Sequence, residues 1–182
     1  VCCGTGAQTV CYARRSITSW GIDADPGMIQ FAEMRKRKLG LGNAFYLRAS
    51  AGNLPFRDAC FDHASISMGL HEKDGPLRDR IVSEMKRVVR KDGTLTVVDY
   101  RAPFPEDACG RVAGLMERMA GREHHRCFRG FISGGGLDDE TSRWLADRDD
   151  VMYARLAAVG LVKPRKTSGT TLKQLLDAFF EH

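Results

Sequence analysis

The sequence opens with VCCGTG, in which Gly4, Thr5 and Gly6 form a turn that lets a ligand approach the backbone closely. Backbone N–H groups of such a turn, and of the helix after it, favour an anionic group. Asp23 follows Gly4 by 19 residues at the end of a predicted strand, a spacing typical of a carboxylate that binds ribose hydroxyls. The pattern indicates a site for a nucleoside-containing ligand. Thr9 stands where a dinucleotide fingerprint has its third glycine, which argues against a dehydrogenase.

Alternating strands and helices would position this turn. Short β-rich runs occur at 16–22, 45–47, 61–68 and 94–100, and helical patterns occur at 7–15, 26–39 and 76–89. A turn is predicted at 91–93, between the last helix and the last strand. This alternation predicts a Rossmann-like, doubly wound α/β fold, with a mainly parallel sheet and helices on both faces. Because only three residues precede the turn, we expect its strand, the first of the sheet, to be largely missing from the chain.

The 182 residues are predicted to form one domain in three parts. Residues 1–101 would form the cofactor-binding half, and 102–150, mostly helical, would form an insertion that covers the site. Residues 151–182 would complete the sheet, with a helix at 152–159, a strand at 161–166 and a helical tail. Three glycines at 134–136 fit either a lid hinge or a turn that ends a helix.

Composition and charge narrow the class of protein. The chain is 43% hydrophobic and 28% charged, with a net charge of +5. Its basic residues form short clusters without interleaved aromatic residues, so we expect nucleic acid not to be a partner. No apolar run is long enough for a transmembrane segment, and peripheral membrane contact stays open. The six cysteines have neither CxxC nor zinc spacing, which predicts free thiols in a reducing cytoplasm and no metal site.

Five segments occur in the order found in class I S-adenosylmethionine-dependent methyltransferases, which the chain resembles. They are CCGTG, GIDADPGM, NLPFRDACFD, SMGLHE and VVRKDGTLTVVDY. The branch that contains ubiquinone and menaquinone C-methyltransferases is the most similar, and the resemblance covers residues 1–101. It implies a cytoplasmic enzyme that transfers a methyl group from S-adenosylmethionine to a small or lipophilic acceptor, such as a quinone precursor, and releases S-adenosylhomocysteine.

The resemblance also implies which residues contact the cofactor. The methionine part would be contacted by Gly4, Thr5 and Gly6, and the ribose hydroxyls by Asp23. The adenine would be contacted by Ala24, Met28, Ser50 and Ala51, and the methionine and sulfonium by Ser67 and Met68. Ser50 stands where the family often has an aspartate. Because a hydroxyl accepts a hydrogen bond without charge assistance, we expect weaker cofactor affinity.

Methyl transfer requires an aligned acceptor and, for a hydroxyl or an activated ring carbon, benefits from a general base. His71 follows the predicted strand at 61–68 and is the candidate base, with a structural hydrogen-bonding role as the alternative. Adjacent helical residues such as His124 and His125 point in different directions, which argues against a metal shared between them. The candidates for the acceptor pocket are Glu72, Tyr100, Arg101 and His125.

Three other functions stay open from the sequence. A nucleic-acid methyltransferase would require the basic clusters to converge on the active-site face. A nicotinamide-dependent oxidoreductase would require a pyrophosphate site, which Thr9 disfavours. An incomplete module without catalytic activity would agree with the missing strand, since its loss would expose the edges of neighbouring strands.

Overall fold

The computed structural model describes residues 1–146 and 155–160, in which helices and strands alternate. The elements in chain order are α1 (Ala7–Ala13), β1 (Ser19–Asp23), α2 (Pro26–Lys38), β2 (Ala44–Arg48), β3 (Phe61–Ser67), α3 (Gly75–Val88), β4 (Val89–Asp99), α4 (Ala108–Met119), α5 (Arg122–Ser133), α6 (Gly136–Ala146) and β5 (Arg155–Gly160). The predicted α/β class is confirmed, and α4 to α6 lie within the predicted helical insertion.

The strands form two parallel groups, joined by the first residues of the chain. β1 pairs with β2, and β4 pairs with both β3 and β5. Between the groups, the Val1 nitrogen donates to the Ser65 carbonyl at 2.7 Å, and the Cys3 N–H donates to the Ile22 carbonyl at 2.9 Å. The first three residues therefore lie between β1 and β3, and the glycine turn follows where those two strands end.

Capping residues in the sequence begin the two helices next to this edge of the sheet. Asp25 Oδ1 accepts the Gly27 N–H at 2.7 Å, and Pro26 occupies the first turn of α2. At the start of α3, Asp74 Oδ1 accepts the Leu77 N–H at 2.9 Å. A side-chain acceptor and an early proline both favour a helix start. The caps keep the connections after β1 and β3 short, so their loop residues stay at the edge of the sheet.

The hydrophobic core lies where α3 packs against β3 and β4. Its central side chains, each no more than 1% exposed, are Ile66, Leu70, Ile81, Met85, Leu95 and Phe131. Burying one such side chain stabilises the fold by about 1.5–3 kcal/mol. This packing fixes the ends of β3 and β4, where His71 and Asp99 lie.

Two segments differ from the prediction. β4 begins directly after α3, so the predicted turn at 91–93 lies inside a strand, beside a register shift in the pairing with β3. The predicted helix at 152–159 is wrong over 155–159, because residues 155–160 form β5 and pair in parallel with 94–99 of β4. A short apolar run has no decisive periodicity, and here the edge of β4 decides its conformation.

The described residues test only some of the predictions about the C-terminal part. Gly134 and Gly135 form the turn between α5 and α6, as the helix-ending alternative predicts. The predicted strand at 161–166 and the helical tail lie outside the described residues. Among the helices that the structure describes, none combines the length and apolar character needed to cross a membrane.

Candidate cofactor and acceptor site

A cavity of about 640 Å³ lies at the carboxyl ends of β1, β2 and β3. Its size falls in the range of ~300–1,000 Å³ that is usual for small-molecule sites. Of the ten residues predicted to contact the cofactor, nine line it: Gly4, Thr5, Asp23, Ala24, Met28, Ser50, Ala51, Ser67 and Met68. Glu72, predicted for the acceptor pocket, also lines the cavity, as does its neighbour Lys73. The structure therefore brings residues from four separate loops to one site.

Asp23 holds the glycine turn and also faces the cavity. Its Oδ2 accepts the Gly4 N–H at 2.8 Å, and its Oδ1 accepts the Asp25 N–H at 3.0 Å. Each carboxylate oxygen has a further lone pair, so ligand hydroxyls can still donate to it. Gly4 has a φ of +50°, and a Cβ built there meets no atom within 4 Å. Open space beside the backbone and a carboxylate next to it fit S-adenosylmethionine, which carries both a ribose and an amino-acid chain.

Gly6 is the predicted cofactor residue that does not line the cavity. A Cβ at Gly6 would lie 2.4 Å from the hydroxyl oxygen of Tyr46 and 2.8 Å from two of its ring carbons. The Tyr46 hydroxyl donates to the Gly6 carbonyl at 3.3 Å, and burial is the main cause that raises the pKa of Tyr46 to about 12. The second glycine of the turn therefore makes room for a tyrosine from β2. The sequence contains no signal for this contact.

Met68 and Ser50 both line the cavity, and local hydrogen bonds hold each of them in place. Met68 has a φ of +54°, a conformation uncommon outside glycine, and its N–H donates to the Val98 carbonyl at 2.7 Å. Ser50 Oγ accepts the Gly52 N–H at 3.3 Å. The serine O–H has no acceptor among the described residues, so it is available to a ligand as a donor. An aspartate at this position would act only as an acceptor.

His71 is buried, 2% exposed, and is held by Asp99 at the end of β4. Its Nδ1 lies 2.7 Å from Asp99 Oδ1, and Asp99 also accepts the backbone N–H groups of Leu70, His71 and Tyr100. Burial lowers the pKa of His71, but the hydrogen bond and charge of Asp99, with two nearby glutamates, outweigh it and leave this pKa raised. The role of His71 as a general base stays a prediction.

Glu117, in α4, joins His71 to two other side chains, and sequence reasoning missed it. Its Oε2 lies 3.5 Å from His71 Nε2 and is also hydrogen-bonded to His124 Nε2. Its Oε1 accepts the Tyr100 hydroxyl at 2.8 Å. Burial, followed by this hydrogen bond, raises the pKa of Tyr100. Tyr100 therefore orients Glu117 within the cluster.

Tyr100, Arg101 and His125, the other residues predicted for the acceptor pocket, do not line the cavity, and neither does His71. Arg101 forms an ion pair with Asp138 at 2.6 Å, in which both side chains are partly exposed. His125 stacks on Phe128 with ring centroids 6.4 Å apart, and its buried Nδ1 has no partner among the described residues. Any role for Tyr100, Arg101 or His125 in acceptor binding stays a prediction.

Comparison with known proteins agrees with this arrangement. Residues 1–97 match the methyltransferase domain family. The chain is 31% identical over 106 residues to a demethylmenaquinone methyltransferase of Geobacillus, covering 57% of this chain and 44% of that protein. It is 33% identical over 107 residues to a ubiquinone/menaquinone biosynthesis C-methyltransferase of Psychromonas ingrahamii, covering 57% of this chain and 42% of that protein.

A solved structure has the same fold. It is a SAM-dependent methyltransferase of Methanosarcina mazei, 28% identical, with a TM-score of 0.55, covering 63% of this chain and 57% of that one. The chain spans less than half the length of the two curated relatives. The family match covers more than half of the chain and includes the glycine turn, Asp23 and the ends of β1 to β3. The chain therefore belongs to the methyltransferase domain family, and its fold is that of a class I S-adenosylmethionine-dependent methyltransferase.

Proposed function

We propose that this protein transfers a methyl group from S-adenosylmethionine to a small, lipophilic acceptor with a quinone-like ring. The observation that carries the proposal is the cavity of about 640 Å³, in which nine of the ten predicted cofactor residues meet. When bound, S-adenosylmethionine supplies a methyl group on a sulfonium, and transfer to an acceptor O–H or ring C–H yields S-adenosylhomocysteine and a proton.

Residues of this chain would bind and orient the cofactor from both of its ends. The Asp23 carboxylate offers lone pairs to ribose hydroxyls, and the bare backbone of Gly4 lets the amino-acid part pass closely. Met68, held at the end of β3, lies on the cavity wall where an acceptor would approach. Alignment of this kind supplies much of the rate enhancement that methyl transfer requires.

Two features support a lipophilic, ring-containing acceptor. Aromatic rings pack edge to face beside His71, with centroids 5.2–5.4 Å apart among Tyr100, Phe104 and Phe128. Helix α4 exposes an apolar stripe in which each side chain is at least 56% exposed, formed by Val112, Leu115, Met116 and Met119. The names of the quinone-methylating relatives agree with this acceptor class.

Calorimetric titration with S-adenosylhomocysteine tests the cofactor part of the proposal. Wild type should bind, and Asp23→Asn should bind about 10–100-fold more weakly, because it loses charge-assisted hydrogen bonds worth about 1.5–3 kcal/mol. Asp62→Asn is the control, since that carboxylate is 80% exposed and should leave affinity unchanged. NADH and a DNA duplex should give no heat. Binding of either in place of S-adenosylhomocysteine would support an alternative function.

The acceptor part requires a separate assay. The chain is incubated with S-adenosylmethionine and a 2-alkyl-1,4-naphthohydroquinone, and the product is examined by mass spectrometry for one added methyl group. A methylated product supports the quinone-like class. S-adenosylhomocysteine binding without such a product would retain the cofactor and refute this acceptor.

A further inference from the structure

Two histidines and two carboxylates from distant parts of the chain converge beside the cofactor cavity. Ligand atoms of His71, Glu72 and His124 all lie within 4.8 Å of one another. Glu117 adds a fourth group, because its Oε2 lies 3.5 Å from His71 Nε2 and contacts His124 Nε2. The packing of α4 and α5 against each other brings Glu117 and His124 together.

The hydrogen bond to Asp99 fixes which nitrogen of His71 faces this group. Asp99 is fully buried and accepts three backbone N–H groups in addition to the bond from His71 Nδ1 at 2.7 Å. The proton of a neutral His71 ring therefore belongs on Nδ1. Its Nε2 is left as a lone pair that points toward Glu117. A carboxylate that holds the second nitrogen in this way is the usual support of a metal-binding histidine.

The cluster combines the side-chain types that bind transition metals with low exposure to water. His71 is 2% exposed, Glu117 is 12% exposed and His124 is 19% exposed. They come from the loop after β3 and from α4 and α5, so only tertiary packing brings them together. One cation among them would contact His71, Glu72 and His124 at once.

We propose that His71, Glu72 and His124, with Glu117 beside them, bind a divalent transition-metal ion. Imidazole and carboxylate donors suit Zn²⁺, Co²⁺ and Fe²⁺. Bonds of about 2.0–2.2 Å hold the ligand atoms of one ion up to roughly 4.2 Å apart, so small side-chain movements complete the site. Glu72 Oε2 accepts from Lys73 Nζ at 3.3 Å and retains its second oxygen for the ion. This assignment uses His71 Nε2 as a ligand, in place of its predicted role as a base.

The position of the site suggests how the ion would act, and this part rests on the proposed function. Glu72 lines the cofactor cavity, so the ion would lie at its wall. An acceptor with a hydroxyl or carbonyl oxygen would complete the coordination and be aligned beside the methyl group. The ion would also lower the pKa of a hydroxyl bound to it, which is the task otherwise expected of a general base.

Titration of the tag-free, EDTA-treated chain with Co²⁺, followed by visible absorption, tests the site without reference to activity. Wild type should bind one equivalent and develop d–d absorption bands, and Zn²⁺ should displace the Co²⁺. His124→Ala should weaken binding by on the order of 100-fold. Asp99→Asn should weaken it about 10–100-fold, as is usual for a group that orients a metal ligand. His125→Ala is the matched control, adjacent in sequence but outside the cluster, and should bind like wild type.

The results of the metal titration and of the cofactor titration test the two proposals separately. Failure of folded wild-type chain to bind Co²⁺ or Zn²⁺, or equal binding by wild type and His124→Ala, overturns the metal site. Because His124 is partly exposed, its truncation should leave the unfolding transition near that of wild type, which circular dichroism checks. S-adenosylhomocysteine titration of the metal-free chain tests the cofactor site separately, so failure of one proposal does not imply failure of the other.

Discussion

The two glycines of the opening turn should respond differently to the same substitution. Gly4 and Gly6 both have positive φ, +50° and +76°, so alanine at either position should cost about 1–2 kcal/mol of backbone strain. Sequence alone does not distinguish them. The structure does, because Gly4 borders the open cavity and Gly6 packs against Tyr46.

The magnitude of the difference follows from the contact distances. An alanine Cβ at Gly4 meets no atom within 4 Å, whereas at Gly6 it would lie 2.4–2.8 Å from three Tyr46 atoms. Ordinary contacts between carbon atoms are ~3.5–4.0 Å, and overpacking of this kind costs about 1–3 kcal/mol. Gly4→Ala should therefore lower the free energy of unfolding by about 1–2 kcal/mol, and Gly6→Ala by about 2–5 kcal/mol.

Urea unfolding and S-adenosylhomocysteine titration together measure this difference. Gly4→Ala puts a methyl group into the cavity and should weaken ligand binding by about 10–100-fold, as expected for 1–3 kcal/mol of overpacking. Gly6→Ala should affect stability more than affinity. In a Tyr46→Ala background the cost of Gly6→Ala should fall by about 1–3 kcal/mol. Equal unfolding costs at the two glycines, or no relief in that background, would refute the reasoning.

Two further predictions concern a buried ion pair and a thiol. Arg78→Met should lower the free energy of unfolding by about 2–3 kcal/mol, because Glu140, 7% exposed, then keeps only its ion pair with the half-exposed Arg143. Arg90→Met, which breaks an exposed pair, should cost less than about 1 kcal/mol. Equal costs in urea unfolding would contradict this. Burial raises the pKa of Cys3 to about 11, so iodoacetamide at pH 8 should modify it far more slowly than the exposed Cys60. Equal rates by mass spectrometry would show that the thiol is not buried in solution.

Local features of the sequence predicted much of the fold. Strand and helix alternation, the Asp25-Pro26 start of α2 and the glycine turn each depend on residues close in the chain, and each appears in the structure. Two predictions failed where distant pairing decides conformation. Residues 155–160 form a strand because β4 offers an edge. Residues 91–93 lie inside β4 because Val89, before them, already pairs with Phe61 of β3.

The sequence by itself determined which loops end the strands and which polar residues those loops carry, because strand length and capping are local properties. Only the tertiary structure decided which side chains meet. Tyr46 against Gly6, and Glu117 and His124 against His71, are contacts between residues 40 to 53 positions apart. A spacing rule for metal ligands detects sets within one motif, whereas this cluster forms only when α4 and α5 pack over the ends of β3 and β4. The chemistry beside the cavity therefore depends on packing, which no pattern in the sequence specifies.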